Sequence, residues 1–180
     1  MALSVAALAW LTETFSGDLR LEEPMSHHTS FRVGGPAEAW VKPRRISELV
    51  RLVRWAVQQG IDYLPLGAGS NVLVRDAGIR GLVIALDGCL TSIAADDSAA
   101  AAPHITAGAG VKLAGLCSLA IRKGLAGFNF ALGIPGTVGG SIRVNAGTQA
   151  GCMGDVVTSI NVLMPEGSLR SLEKGELAFS

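Results

Sequence analysis

Gly133-Ile134-Pro135-Gly136-Thr137-Val138-Gly139-Gly140-Ser141-Ile142-Arg143-Val144-Asn145-Ala146-Gly147 is the stretch on which the reading of this chain turns. Four glycines fall between Gly133 and Gly140, and a fifth follows at Gly147. Glycine lets a ligand approach the main chain closely and adopts backbone angles that other residues resist. Pro135 fixes one turn and withholds one N–H. Thr137 and Ser141 add hydroxyls, and successive backbone N–H groups can line a concavity for an anion. The pattern predicts a wrap for a large, partly anionic ligand.

A second glycine cluster supports this. Tyr63–Leu66 reads as a short strand entering Gly67-Ala68-Gly69-Ser70-Asn71, and Val72-Leu73-Val74 as a strand leaving it. Small residues there let N–H groups face a pyrophosphate, with Ser70 and Asn71 adding side-chain hydrogen bonds. Strand–loop–strand differs from the dinucleotide fingerprint, which opens a helix. It also lacks the Lys-Ser/Thr ending of a P-loop. By itself it is a weak signal, since a tight hairpin has the same look.

Composition sets the outer bounds. The 180 residues suit one domain or two small lobes. Fifteen basic residues balance fifteen acidic ones, so no basic footprint marks a nucleic-acid partner. Cys89, Cys117 and Cys152 are widely spaced, which argues for a reducing compartment and against a disulfide framework. His27, His28 and His104 do not make a metal set. Met1–Leu11 is apolar, but it lacks a basic leader region and Glu13 and Asp18 follow. It predicts a surface-packed amphipathic helix over residues 3–15, within an N-terminal helical segment 1–23. No apolar run approaches the roughly 20 residues of a membrane span.

Elsewhere, His28–Ala37 reads as a strand running into a Gly34-Gly35-Pro36 turn, with Ala39–Val41 as the next strand. Arg32 reads equally as a surface residue and as a ligand contact. Ile46, Leu49, Val50, Val53, Ala56 and Val57 form one helical stripe, leaving Arg51 and Arg54 solvated. Leu82–Leu86 reads as a buried strand, residues 94–103 as an exposed hairpin tip, and His104–Ala107 as its return. Leu113, Leu116, Cys117, Ala120 and Ile121 form a second helical stripe, on which Cys117 reads as a small core hydrophobe. Val156–Met164 and Ser168–Leu172 read as a final strand pair. Lobes of about 24–85 and 104–180 each carry one glycine loop, with the ligand between them.

Four segments together resemble the UDP-N-acetylenolpyruvoylglucosamine reductase (MurB) family. They are His28–Ala37, Leu66–Val74, Gly133–Gly147 and Glu176-Leu177-Ala178-Phe179, and they fall in the family's order. The resemblance implies a two-lobed α+β FAD-binding domain of the vanillyl-alcohol-oxidase (PCMH) type, spanning 24–180. It places Gly67, Ala68, Gly69, Ser70 and Asn71 on the FAD pyrophosphate. It places Gly133, Ile134, Pro135, Gly136, Thr137, Gly139, Gly140 and Ser141 around the diphosphate and flavin, with Asn145 and Gly147 near the isoalloxazine. It implies non-covalent FAD, NADPH as co-substrate, a nucleotide-sugar substrate in peptidoglycan synthesis and a cytoplasmic location. The family's catalytic Arg, Ser and Glu, and its substrate-binding C-terminal domain, are expected beyond Ser180. The competing readings are a non-catalytic flavin or nucleotide module and another flavin oxidoreductase on the same scaffold. Gly139→Val is expected to fill space that the cofactor needs.

Overall fold

The structure is a computed structural model that describes residues 3–96 and 103–179. Its first half is a four-stranded sheet in the order β1-β2-β4-β3. These strands are Asp18–Pro24 (β1), Pro36–Lys42 (β2), Tyr63–Leu66 (β3) and Ile79–Ala85 (β4). β1 runs antiparallel to β2, while β2 and β3 both run parallel to β4. Side chains alternate across a strand, so the sheet has two buried faces. Ala39, Val41, Leu82 and Ile84 join one core cluster, and Trp40, Val83 and Ala85 join another on the opposite side.

The first face is covered by α1 (Val5–Glu13) and α2 (Ile46–Gln58). Leu3, Ala7, Leu11 and Phe15 recur every fourth residue and point into the sheet, as do Leu49, Leu52, Val53 and Ala56 of α2. Ser4 caps α1 by accepting the Ala7 N–H. Glu48 closes the start of α2 by accepting the Arg44 N–H at 2.8 Å and the Ser16 hydroxyl at 2.8 Å. Trp10 and Trp55 stack at 4.0 Å with 9° between the rings, joining the two helices.

The second half is built on α3 (Leu113–Arg122), which follows the hairpin of β5 (Ile93–Asp96) and β6 (His104–Ala107). Leu113, Leu116, Cys117, Phe130, Ala131, Val138 and Met153 form its core. α4 (Val138–Arg143), the short pair β7 (Gly147–Thr148) and β8 (Gly151–Cys152), and α5 (Met153–Val156) follow. The hairpin of β9 (Ser159–Leu163) and β10 (Leu169–Glu173) comes last. Arg54 of α2 donates to the Glu166 carbonyl at 2.9 Å and to that of Gly167 at 3.3 Å, tying the first half to the β9–β10 turn.

Several expectations are corrected here. Residues 18–23 are strand, not helix, and they pair with β2. His28–Gly35 is a folded loop, not a strand. Arg32 takes a φ of 54°, and the Arg32 N–H closes a turn onto the Thr29 carbonyl at 3.1 Å. Val72–Val74 is not a strand, and the glycine segment 67–71 opens a crossover to parallel β4. Parallel neighbours need such a crossover of about a dozen residues, where a hairpin cannot serve. Arg51 and Arg54 both donate to carbonyls rather than only to water. Ile46, Val57 and Ile121 lie outside the buried stripes, while Leu52 lies inside one. The start of the expected 156–164 strand is the end of α5. The hairpin tip expected over residues 94–103 falls largely on 97–102, which lie outside the described residues.

Candidate cofactor site

The two glycine turns meet. The Ser70 hydroxyl donates to the Pro135 carbonyl at 3.1 Å. A Cβ built on Gly67 would lie 2.3 Å from Thr137 Oγ1, so the segments are in contact only because residue 67 has no side chain. Thr137 is buried and caps α4, accepting the Gly140 N–H at 3.4 Å. Gly136 precedes it at a φ of 137°, a conformation open to glycine. Among the described residues, the N–H groups of Ala68, Gly69, Ser70, Asn71, Gly136 and Thr137 donate to no backbone carbonyl. Uncommitted N–H groups converging from two turns are the chemistry of an anion cradle.

The loop His28–Gly35 is built onto the first turn. The Ser30 N–H donates to the Gly69 carbonyl at 3.1 Å, and any Cβ on Gly69 would strike the His28 carbonyl. Together these segments wall a cavity of about 490 Å³. It is lined by His28, Arg32, Trp40, Gly67, Ala68 and Asp87, with His27, Thr29 and Ser30 beside them. Gly67 and Ala68 are the sequence-predicted members. Trp40 and Asp87 were not singled out in the sequence, because only the pairing of β2 and β3 with β4 brings them to the glycine turn.

Charge around the cavity is mostly paired. Glu23 accepts from His28 Nε2 at 2.9 Å, Arg20 Nη1 at 3.0 Å and His27 Nδ1 at 3.5 Å. Partial burial raises the Glu23 carboxyl pKa, but these bonds outweigh it and leave it below the ordinary glutamate value. Asp87 is held by Lys42 at 3.0 Å. His28 stacks on Trp40 at 4.9 Å, and Arg20 lies over the same indole at 5.2 Å. Trp40 Nε1 is buried with no hydrogen-bond partner among the described residues.

Other predicted positions have different neighbours. The Gly139 N–H donates to the Ala109 carbonyl at 2.9 Å, and a Cβ on Gly139 would lie 2.7 Å from Ala109 Cβ. A side chain there meets protein, which corrects the expectation for Gly139→Val. Ser141 is buried, and the Ser141 N–H bonds to the Thr137 carbonyl at 2.8 Å within α4. Asn145 adopts a φ of 45° and accepts the Gly154 N–H at 2.9 Å, while Gly147 starts β7. Asn145 also lines a second cavity of about 340 Å³ with Ile142, Arg143, Ile160 and Phe179. Gly133 and Ile134 lead into the turn, Ile134 packing on the second-half core. Burial pushes the Cys117 and Cys89 thiols up, and Glu48 and Asp87 add to the effect at Cys89, so neither is an activated nucleophile.

Comparison with known proteins bears directly on this arrangement. A family model described as an FAD binding domain matches residues 37–173. The chain belongs to the FAD-binding domain family. This FAD-binding domain is 46% identical over 171 residues to the UDP-N-acetylenolpyruvoylglucosamine reductase of Desulfosudis oleivorans, covering 95% of the chain and 55% of that relative. Against the reductase of the same name from Syntrophus aciditrophicus it is 44% identical over 169 residues, covering 94% and 54%. The chain thus spans about half the length of the curated relatives it matches. A crystal structure of the reductase from Thermus caldophilus superposes with a TM-score of 0.69 at 30% identity, covering 91% of this chain and 55% of that one. 6-Hydroxy-D-nicotine oxidase from Arthrobacter nicotinovorans superposes with a TM-score of 0.71 at 17% identity, covering 91% and 37%, and shows the shared fold alone. The fold is the α+β FAD-binding architecture of the vanillyl-alcohol-oxidase type. Among the described residues, no helix is long and apolar enough to cross a membrane.

Proposed function

We propose that this domain holds FAD non-covalently between its two halves. The diphosphate lies on the N–H groups of Gly67, Ala68, Gly69, Ser70 and Asn71, and the second turn, Gly133–Thr137 with Gly140 and Ser141, closes over it. Asn145 and Gly147 lie toward the isoalloxazine. Gly139 acts indirectly, by letting α4 approach Ala109. The observation that carries this reading is the contact of the two turns, Ser70 on Pro135, with the surrounding N–H groups uncommitted.

The residues fit the group. A dinucleotide diphosphate needs donors and close backbone approach more than side chains, and both turns provide them. Neither turn contains a His or Cys to attach a flavin covalently. The chemistry that FAD supplies when bound is hydride transfer, from NADPH to the enolpyruvyl double bond of UDP-N-acetylenolpyruvoylglucosamine. This chain's residues bind and orient. The residues named here hold the cofactor and are not the groups that stabilise the enolate or donate the proton, and the reaction belongs to peptidoglycan synthesis in the cytoplasm.

Titration of the purified chain with FAD, followed by flavin fluorescence and visible absorbance, tests the binding. Saturable binding is expected, with all yellow colour released to the supernatant on acid precipitation. Flavin left in the pellet would overturn the non-covalent reading, and no binding would overturn the site. NADPH oxidation dependent on UDP-N-acetylenolpyruvoylglucosamine is expected to be absent from this chain alone. Losing one preorganised donor costs about 10²–10³ in rate, and the cofactor-holding residues named above supply none of that set.

A further inference from the structure

Arg32 stands out once the charges around the 490 Å³ cavity are accounted for. Asp87, which lines the cavity, is engaged by Lys42, and Glu23, which contacts the lining histidines, is engaged by them and by Arg20. No carboxylate among the described residues pairs with Arg32. Its side chain is exposed at the cavity wall, on the same surface as Gly67 and Ala68. A second observation is independent of charge. Among the described residues, Arg32 is one of three non-glycine residues with positive φ, at 54°. Such a conformation is costly for a residue with a side chain and persists where its surroundings enforce it. Here they do: the Arg32 N–H bonds to the Thr29 carbonyl, the buried Thr29 hydroxyl donates to the Val33 carbonyl at 3.1 Å, and Ser30 ties the loop to Gly69. The loop is therefore fixed to the first glycine turn, and Arg32 is fixed at its tip.

We propose that Arg32 is a specificity residue for the cofactor, its guanidinium pairing with the diphosphate held on the Gly67–Asn71 turn. The inference rests on the FAD reading above. The turn offers neutral N–H donors, and Arg32 adds the full positive charge that distinguishes a dinucleotide from an uncharged flavin. A guanidinium suits this role because its fork of donors matches phosphate oxygens.

The test compares FAD and riboflavin binding to the parent chain with binding to Arg32→Asn, Arg32→Gln and Arg32→Lys. Asparagine tolerates the left-handed conformation, so Arg32→Asn removes the charge without straining the loop. FAD binding to Arg32→Asn and Arg32→Gln is expected to weaken by about tenfold, the scale of one charge-assisted hydrogen bond. Riboflavin binding should stay within about twofold, and Arg32→Lys should recover most of the FAD affinity. Unchanged FAD affinity in Arg32→Asn would overturn the proposal. So would equal losses for FAD and riboflavin, which would mean that Arg32 only shapes the loop. Failure of the parent chain to bind FAD would refute the cofactor reading itself, which separates the two failures.

Discussion

Replacing Gly139 by alanine isolates how closely α4 packs on the loop between β6 and α3. Gly139 sits in α4 at ordinary helical angles, so the substitution adds contact without backbone strain. The new Cβ would lie 2.7 Å from Ala109 Cβ and 3.1 Å from the Ala109 Cα and carbonyl oxygen. Carbon atoms settle at about 3.5–4.0 Å, so Ala109 would have to retreat by about 1 Å. It is poorly placed to do so. Its carbonyl accepts from Gly139, and its neighbours Gly108 and Gly110 donate to Ser92 and Leu90, each at 2.8 Å. Overpacking of this kind costs about 1–3 kcal/mol. For a chain of this size that lowers the melting temperature by about 4–8 °C at the midpoint of the range. Gly115→Ala is the matched control: it lies exposed in α3, and nothing would lie within 4 Å of its Cβ. It should gain about 0.5–1 kcal/mol from helix propensity. Thermal melts of the FAD-free chains read both effects. A Gly139→Ala chain that melts with the parent but binds FAD poorly would refute the packing argument and return residue 139 to the ligand face.

Glu23→Gln should flatten the acid limb of stability. The folded carboxyl is held below its ordinary value, so it adds stability above that value, and this stability is lost as pH falls through the folded pKa. The parent should lose more stability than the variant between pH 7 and the acid range in denaturant titrations, and parallel curves would contradict this. Arg54→Met should cost about 1 kcal/mol by removing two donors from the β9–β10 turn. Hydrogen exchange should rise locally over residues 159–173, and uniform exchange across the chain would count against the tie.

The glycine turns could be read from the sequence because their requirement is local: glycine density and flanking hydroxyls suffice. The helices were legible from their apolar period, though Leu52 entered the core and Ile46 did not. β1 was hidden for a physical reason. It is an edge strand rich in charge, Asp18-Leu19-Arg20-Leu21-Glu22-Glu23, with little buried surface to pattern it. His28–Val33 misled in the opposite direction. Its Thr, Phe and Val favour strands, yet Phe31 and Val33 are 61% and 49% exposed, and bonds to Thr29 and Gly69 decide the path. Part of the cavity wall was invisible for the same reason, since Trp40 and Asp87 reach Gly67 only through long-range pairing.

The strand order has a consequence for synthesis. β4 is the last-made strand of the first sheet, yet it lies between β2 and β3, and Leu82–Ala85 are all buried. Until Ala85 has emerged from the ribosome, β2 and β3 have no shared neighbour and their edges stay open. Non-local pairing of this kind is slow and leaves strands exposed to other chains meanwhile. A nascent chain paused before residue 79 would carry both helices, an unpaired β3 and one open edge of β2, the state in which a chaperone matters most.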